Sequence, residues 1–191
     1  PFKGSIGFVI TDWTHKVLLS CYGQTAGRNP LSFRTEASTF LAALRILFMI
    51  SKYHKEESTE SIAINTPIKL FTNSESMLRK LTAMNKYPTA HLRCTMDPEW
   101  DVIQVIHRLM GKMNKRPELE WVRSHQDDDP DLEKLFDATK LNIKADDLVT
   151  QGLDRLESNP WVPMDPTSEV MLHQRRKTIT RDYKVTMRSN I

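Results

Sequence analysis

The sequence predicts an α/β layer fold with a mixed sheet, on three observations. Short runs rich in β-branched and aromatic residues, "SIGFVIT", "VLLSCYG", "PIKLF" and "PELEWVRS", alternate with longer segments of helical periodicity. The first two runs are separated only by "DWTHK", which reads as a hairpin turn. The resulting order is strand, strand, helix, strand, helix, helix, strand, helix, which calls for helices layered on a sheet that is not purely antiparallel. At 191 residues, 39% apolar and 27% charged, the chain fits one soluble domain with an appendage.

Each element has its own signals. After the hairpin, "QTAGRNP" carries Gly and Asn-Pro loop signals. Ser32 then caps a helix whose apolar positions are Ala37, Phe40, Leu41, Leu44, Leu47 and Phe48, with Glu36 in its first turn. The polar residues 52–65 read as a loop. Residues 67–71 read as a strand, with a short helix starting near Ser74. Asp97-Pro98-Glu99 is a helix start: Asp as N-cap, Pro at the first helical position and Glu in the first turn. The stripe Val102, Ile103, Ile106, Leu109, Met110 and Met113 continues that helix. In "PELEWVRS", Leu119 and Trp121 share a face, and Trp121 is expected to fill the core rather than to stack on a base. An acidic loop covers residues 125–137, and a last helix begins near Thr139 with Leu141, Ala145, Leu148, Val149 and Leu153 as its apolar face. "ESNPWVPMDP" reads as a linker, and "EVMLHQRRKTIT" as a hairpin turning at its basic residues.

Composition narrows the function classes. No apolar run reaches the roughly 18 residues of a membrane helix, so no membrane partner is expected. The opening "PFKGSIGFVI" leads straight into a strand pattern, reads as part of a longer chain, and is not a signal peptide. Cys21 and Cys94 have neither the number nor the spacing of a metal site or disulfide framework, and read as free thiols of an intracellular protein, in cytoplasm or nucleus. The net charge of +3 is uneven: residues 173–191 carry six Lys or Arg against one Asp, which leaves −2 for the rest of the chain. A basic tail suits a polyanion, and the acidic run Asp127, Asp128, Asp129 and Asp131 suits a divalent cation; either is equally a solvated surface.

Three acid or amide positions fall where a sheet can gather them. Glu36 opens one helix, Asn73 ends a strand, and Asp146 lies in the last helix one turn after Asn142. Carboxylates crowded in a cleft need a cation, and two metal ions about 4 Å apart are a common device for cutting a phosphodiester. Each residue also has a plain reading, as helix-dipole complement, turn former or solvated charge. His125 follows the last strand directly and is placed to move protons, or is a surface histidine. Arg175, Arg176 and Lys177 hold phosphates or form a solvated hairpin tip.

Taken together, "SFRTEAS", "LFTNSES", "EWVRSHQDDD" and "LNIKADDLV", in this order and on these elements, resemble the type 1 ribonuclease H family, above all the ribonuclease H-like domains attached to retroelement reverse transcriptases. The resemblance covers residues 4–156, and residues 157–191 are a Pro-rich linker and basic extension. It implies a five-stranded mixed sheet flanked by helices, lacking its first strand here, and cleavage of the RNA strand of an RNA–DNA hybrid with magnesium or manganese held by four carboxylates. By position, Glu36 and Asp146 match two of these, Asn73 falls on a third, and His125 matches the family's histidine. Ser32, Arg34 and Ser74 are expected against the hybrid backbone, which such domains read by shape, sugar hydroxyls and phosphates. The sequence departs from the pattern twice. The leading Asp is missing: either "KGS" at Lys3 to Ser5 is the family's "DGS" stretch with Lys in place of Asp, or, the preferred reading, "GSIGFVI" resembles the family's second strand and the first lies upstream; and Asn73 lacks the charge of a ligand carboxylate. Catalysis is therefore expected to be impaired. The alternative is an inactive nucleic-acid-binding or structural module beside a reverse transcriptase domain. A chain without its first strand is expected to leave the strand Ser5–Thr11 with an unpaired edge.

Overall fold

The computed structural model describes residues 4–25, 32–57, 67–86, 97–113, 116–123, 136–155, 172–174 and 177–179. In chain order the elements are β1 (Ser5–Thr11), β2 (Val17–Gln24), α1 (Ser32–Glu57), β3 (Lys69–Thr72), α2 (Glu75–Lys86), α3 (Trp100–Lys112), β4 (Glu118–Trp121), α4 (Asp137–Arg155), β5 (Leu172–Gln174) and β6 (Lys177–Ile179). The mixed α/β class is the one expected. No described helix is long and apolar enough to cross a membrane.

The described strands form three separate pairs. Strands β1 and β2 pair antiparallel, β3 and β4 pair parallel, and β5 and β6 form a separate hairpin, with no pairing between β1 and β3 among the described residues. Among the described residues, β1 pairs only with β2 and β3 only with β4. They share a roof instead: α4 packs on β1, β2 and β3.

The hairpin β1–β2 is set by its turn. Asp12 Oδ1 accepts the Thr14 and Lys16 amides at 2.8 and 3.0 Å and the Thr14 hydroxyl at 2.6 Å. The Thr14 hydroxyl and the two amides hold the Asp12 carboxyl below its usual range. His15 takes the left-handed conformation, φ 64°, and its ring lies 3.5 Å from Asp137, which ties the turn to the start of α4.

Helix α1 is longer than its polar end suggests. Residues 52–57, expected as loop, continue the helix. Lys and Glu are good helix formers, and no Gly or Pro interrupts them. Its face Ala37, Phe40, Leu41 and Leu44 meets Met77 and Leu81 of α2 and Val102, Ile103, Ile106 and Met110 of α3 in one buried cluster. Leu70 and Leu119, opposite each other on β3 and β4, close it from the sheet side. Helix α3 is buried through its first two turns, and its more polar second half emerges.

Close approach of α4 to β1 depends on absent side chains. A Cβ on Gly7 would meet the Ala145 carbonyl oxygen at 2.6 Å and the Val149 amide at 2.8 Å. A Cβ on Gly152 would meet the Ser5 hydroxyl at 2.2 Å. Gly7 and Ser5 alternate onto one face of β1, and that face is the seat of α4.

Two outcomes follow for stability. Gly7→Val will destabilise by about 1–3 kcal/mol through overpacking, whereas Gly111→Ala, with nothing within 4 Å of its new methyl, will stabilise by roughly 0.5–1 kcal/mol; urea titration of both separates them. His107 on α3 is held below its ordinary 6.5 by burial and then by Arg116. The folded state therefore binds this proton less readily than the unfolded chain, and stability falls as pH drops below about 6.5 towards the folded value. The urea midpoint is expected to be lower at about pH 5 than at about pH 7.5, by less in His107→Gln.

Candidate nucleic-acid interface

Parallel pairing fixes where the expected site residues fall. Thr72 is opposite Trp121, and the Val122 amide donates to the Thr72 carbonyl at 2.9 Å, so β3 and β4 end at the same edge. Asn73 leaves β3 there, and Val122 and Arg123 leave β4 beside it. The carboxyl edge of such strands is where open α/β sheets collect ligands.

Local hydrogen bonds shape this edge. The Thr72 hydroxyl accepts the Ser74 amide at 3.2 Å, and the Ser74 carbonyl accepts the Leu78 amide at 3.2 Å, which makes Ser74 the entry residue of α2. Ser74 is buried and its hydroxyl lies 3.4 Å from that of Ser76, so its side chain serves the turn. Trp121 is not in the core. It is 53% exposed, and its indole N–H donates to the Asn73 carbonyl at 3.2 Å. The alternation that put it inside holds for Leu119, but Trp121 is the last residue of its strand.

The two carboxylates sit on helices. Glu36 is in the second turn of α1, not the first, because the helix already includes Ser32; the exposed Ser32 hydroxyl donates to it at 2.9 Å. Asp146 is exposed on α4, and Asn142 donates to it at 3.4 Å. Both helices pack on β1. His125, the acidic run, Arg175 and Arg176 lie outside the described residues, and Lys177 is described only as backbone in β6.

A two-metal centre does not fit these residues. Among the described residues, no group of three or more His, Cys, Asp or Glu is positioned to hold a metal, and Asn73 brings no charge to the edge. No chemical step through a metal is derived from them.

Arg34 is corrected outright. Expected against a nucleic-acid backbone, its side chain is 3% exposed. It grips Asp101 with both Nη atoms, at 3.1 and 2.8 Å, and Nη1 also donates to Glu99. Burial acts against the guanidinium charge, but the bonds to Asp101 and the attraction of both carboxylates outweigh it and hold the pKa above the ordinary arginine value. Glu99 is corrected with it. It precedes α3 in the left-handed conformation, φ 60°, and caps nothing with its side chain, since that carboxylate is spent on Arg34. Lys80 of α2 sits beside this cluster, donating to the Pro98 carbonyl at 2.8 Å over the Phe33 ring. Burial lowers its pKa, while Asp97 and Glu99 pull the other way. The signal for Arg34 was available: it lies three residues before Ala37 and seven before Leu41, on the core stripe of α1.

An apolar cavity of about 90 Å³ lies between α2 and the start of α3, lined by Lys80, Met84, Pro98, Trp100 and Ile103 among others. None of the site residues expected from the sequence lines it. One turn apart on α3, the Trp100 indole N–H and both ends of the Gln104 amide are buried without hydrogen-bond partners.

Arg34→Met will take the guanidinium away from two buried carboxylates, at a cost of about 3–5 kcal/mol, whereas Arg34→Met combined with Glu99→Gln and Asp101→Asn will recover most of it. Chemical denaturation of the two variants checks this. Comparisons with protein-family models, curated proteins and solved structures find no match to this chain.

Proposed function

We propose that the chain is a ribonuclease H-like domain of a retroelement protein, handling RNA–DNA hybrids, with metal-dependent cleavage weakened or lost. The observation that carries this reading is the parallel pair β3–β4, which gathers Asn73 and the segment leading to His125 at one sheet edge. Two further features support it. Helices α1 and α4, bearing Glu36 and Asp146, both pack on β1. Among the described residues, β1 and β3 have no strand partner besides β2 and β4 and lie under a shared α4, which is compatible with a five-stranded sheet that lacks its first strand. In this reading Glu36 and Asp146 are the carboxylates left to attract magnesium or manganese, and a neutral Asn73 makes that attraction weak.

A second reading is favoured by the missing charge at Asn73 and the absence of a carboxylate cluster among the described residues. The domain then binds nucleic acid, or supports a covalently linked reverse transcriptase domain, without cutting. One experiment separates the readings. A chain extended upstream by an Asp-bearing strand, with Asn73→Asp, is expected to cut a labelled hybrid in magnesium at least tenfold faster than the same chain with Asn73. If neither cuts, the nuclease reading is lost; salt-dependent binding without cutting leaves the binding module.

A further inference from the structure

We infer that Trp121, together with Asn73 and Arg123, forms a metal-independent contact for a nucleic-acid strand, in which a base stacks on the exposed indole. The inference rests on the nucleic-acid reading above, and it adds Trp121 and Arg123, which that reading does not use.

Three observations carry it. Trp121 is 53% exposed at a strand end, so its ring is accessible to a flat partner, and here the ring is not loose. Its N–H is anchored to the Asn73 carbonyl, which fixes the indole plane and lowers the entropy lost when a flat partner lands on it. Arg123, two residues along and exposed, forms an ion pair with none of the described residues. Aromatic faces beside such cations are how sequence-tolerant strand binding is built: stacking for the base, charge for the phosphate. The third observation is Asn73 itself, whose main-chain carbonyl holds the indole. A carboxylate carried at this position would repel a phosphate unless a metal stood between them, whereas the neutral amide does not, and an amide has both a donor and an acceptor. With Asn73 the edge accepts a polyanion directly.

The test uses the 191-residue chain in EDTA, with a fluorescent RNA–DNA hybrid and a single-stranded oligonucleotide across a salt series. Wild type is expected to bind. Trp121→Ala should weaken binding about tenfold or more at unchanged salt slope, Trp121→Phe should keep most of it, and Arg123→Ala should lower the salt slope by about one. Asn73→Asp should weaken binding in EDTA. Because Trp121→Ala also loses the bond to Asn73, ultraviolet crosslinking of wild type to a bromouracil oligonucleotide provides a second measurement, and the crosslink should map to Trp121. If Trp121→Ala binds like wild type, or the crosslink maps elsewhere, the inference is overturned while hybrid binding stands. If wild type binds nothing in EDTA the inference falls too, and cleavage in magnesium then decides the nuclease reading alone. Concentration-dependent dimerisation that Trp121→Ala abolishes would assign the ring to a second copy of the chain and overturn it as well.

Discussion

The buried contact between Arg34 and the pair Glu99 and Asp101 is the constraint on which the helical layer depends. Taking charges out of water is expensive, and the expense is recovered only when geometry is good and every lone pair has company. Here the guanidinium fork meets Asp101 with two bonds and reaches Glu99 with one of the same nitrogens. That geometry fixes the beginning of α1 against the beginning of α3. It also explains the backbone before α3, where Glu99 accepts a left-handed conformation unusual for a residue with a side chain. The apolar cluster of α1, α2 and α3 continues from this polar end, so the ion cluster sets the register in which the hydrophobic faces meet.

The sheet side follows a different logic. Close contact of α4 with β1 needs Gly7 and Gly152, and through α4 the antiparallel pair is joined to the parallel one. Backbone hydrogen bonds do not bridge β1 and β3 among the described residues; side-chain packing does that work. Such an arrangement holds its layers together from outside the ladder, and among the described residues β1 and β3 each have one strand partner only.

Much of this was legible in the sequence, because periodicity is a strong signal. The hairpin, the helices and the β3 and β4 runs were all readable from alternation and helical stripes. What was not legible had competing physical causes. Residues 52–57 were polar enough to pass for loop, yet helix propagation needs no apolar face. Asp97-Pro98-Glu99 carried a helix-start signature, but a tertiary ion pair claimed the glutamate and delayed the helix to Trp100. The charge of Arg34 points to the surface, whereas its place on the core stripe of α1 takes it inside. Trp121 was read by its alternation, which says which face a residue takes but not whether that face is still covered at the strand's last residue. Of the candidate site, Asn73 was located correctly at the strand end, while Glu36 and Asp146 were placed on their helices without any means of judging their mutual distance.

The bond between Trp121 and Asn73 has an evolutionary consequence. It is made to a main-chain oxygen, which any of the amino acids supplies. The shape of the β3–α2 corner is therefore indifferent to the side chain carried at that position. Architecture and chemistry are uncoupled there: a substitution can change the charge at this position without refolding the corner, so the scaffold accepts a neutral or a charged side chain alike.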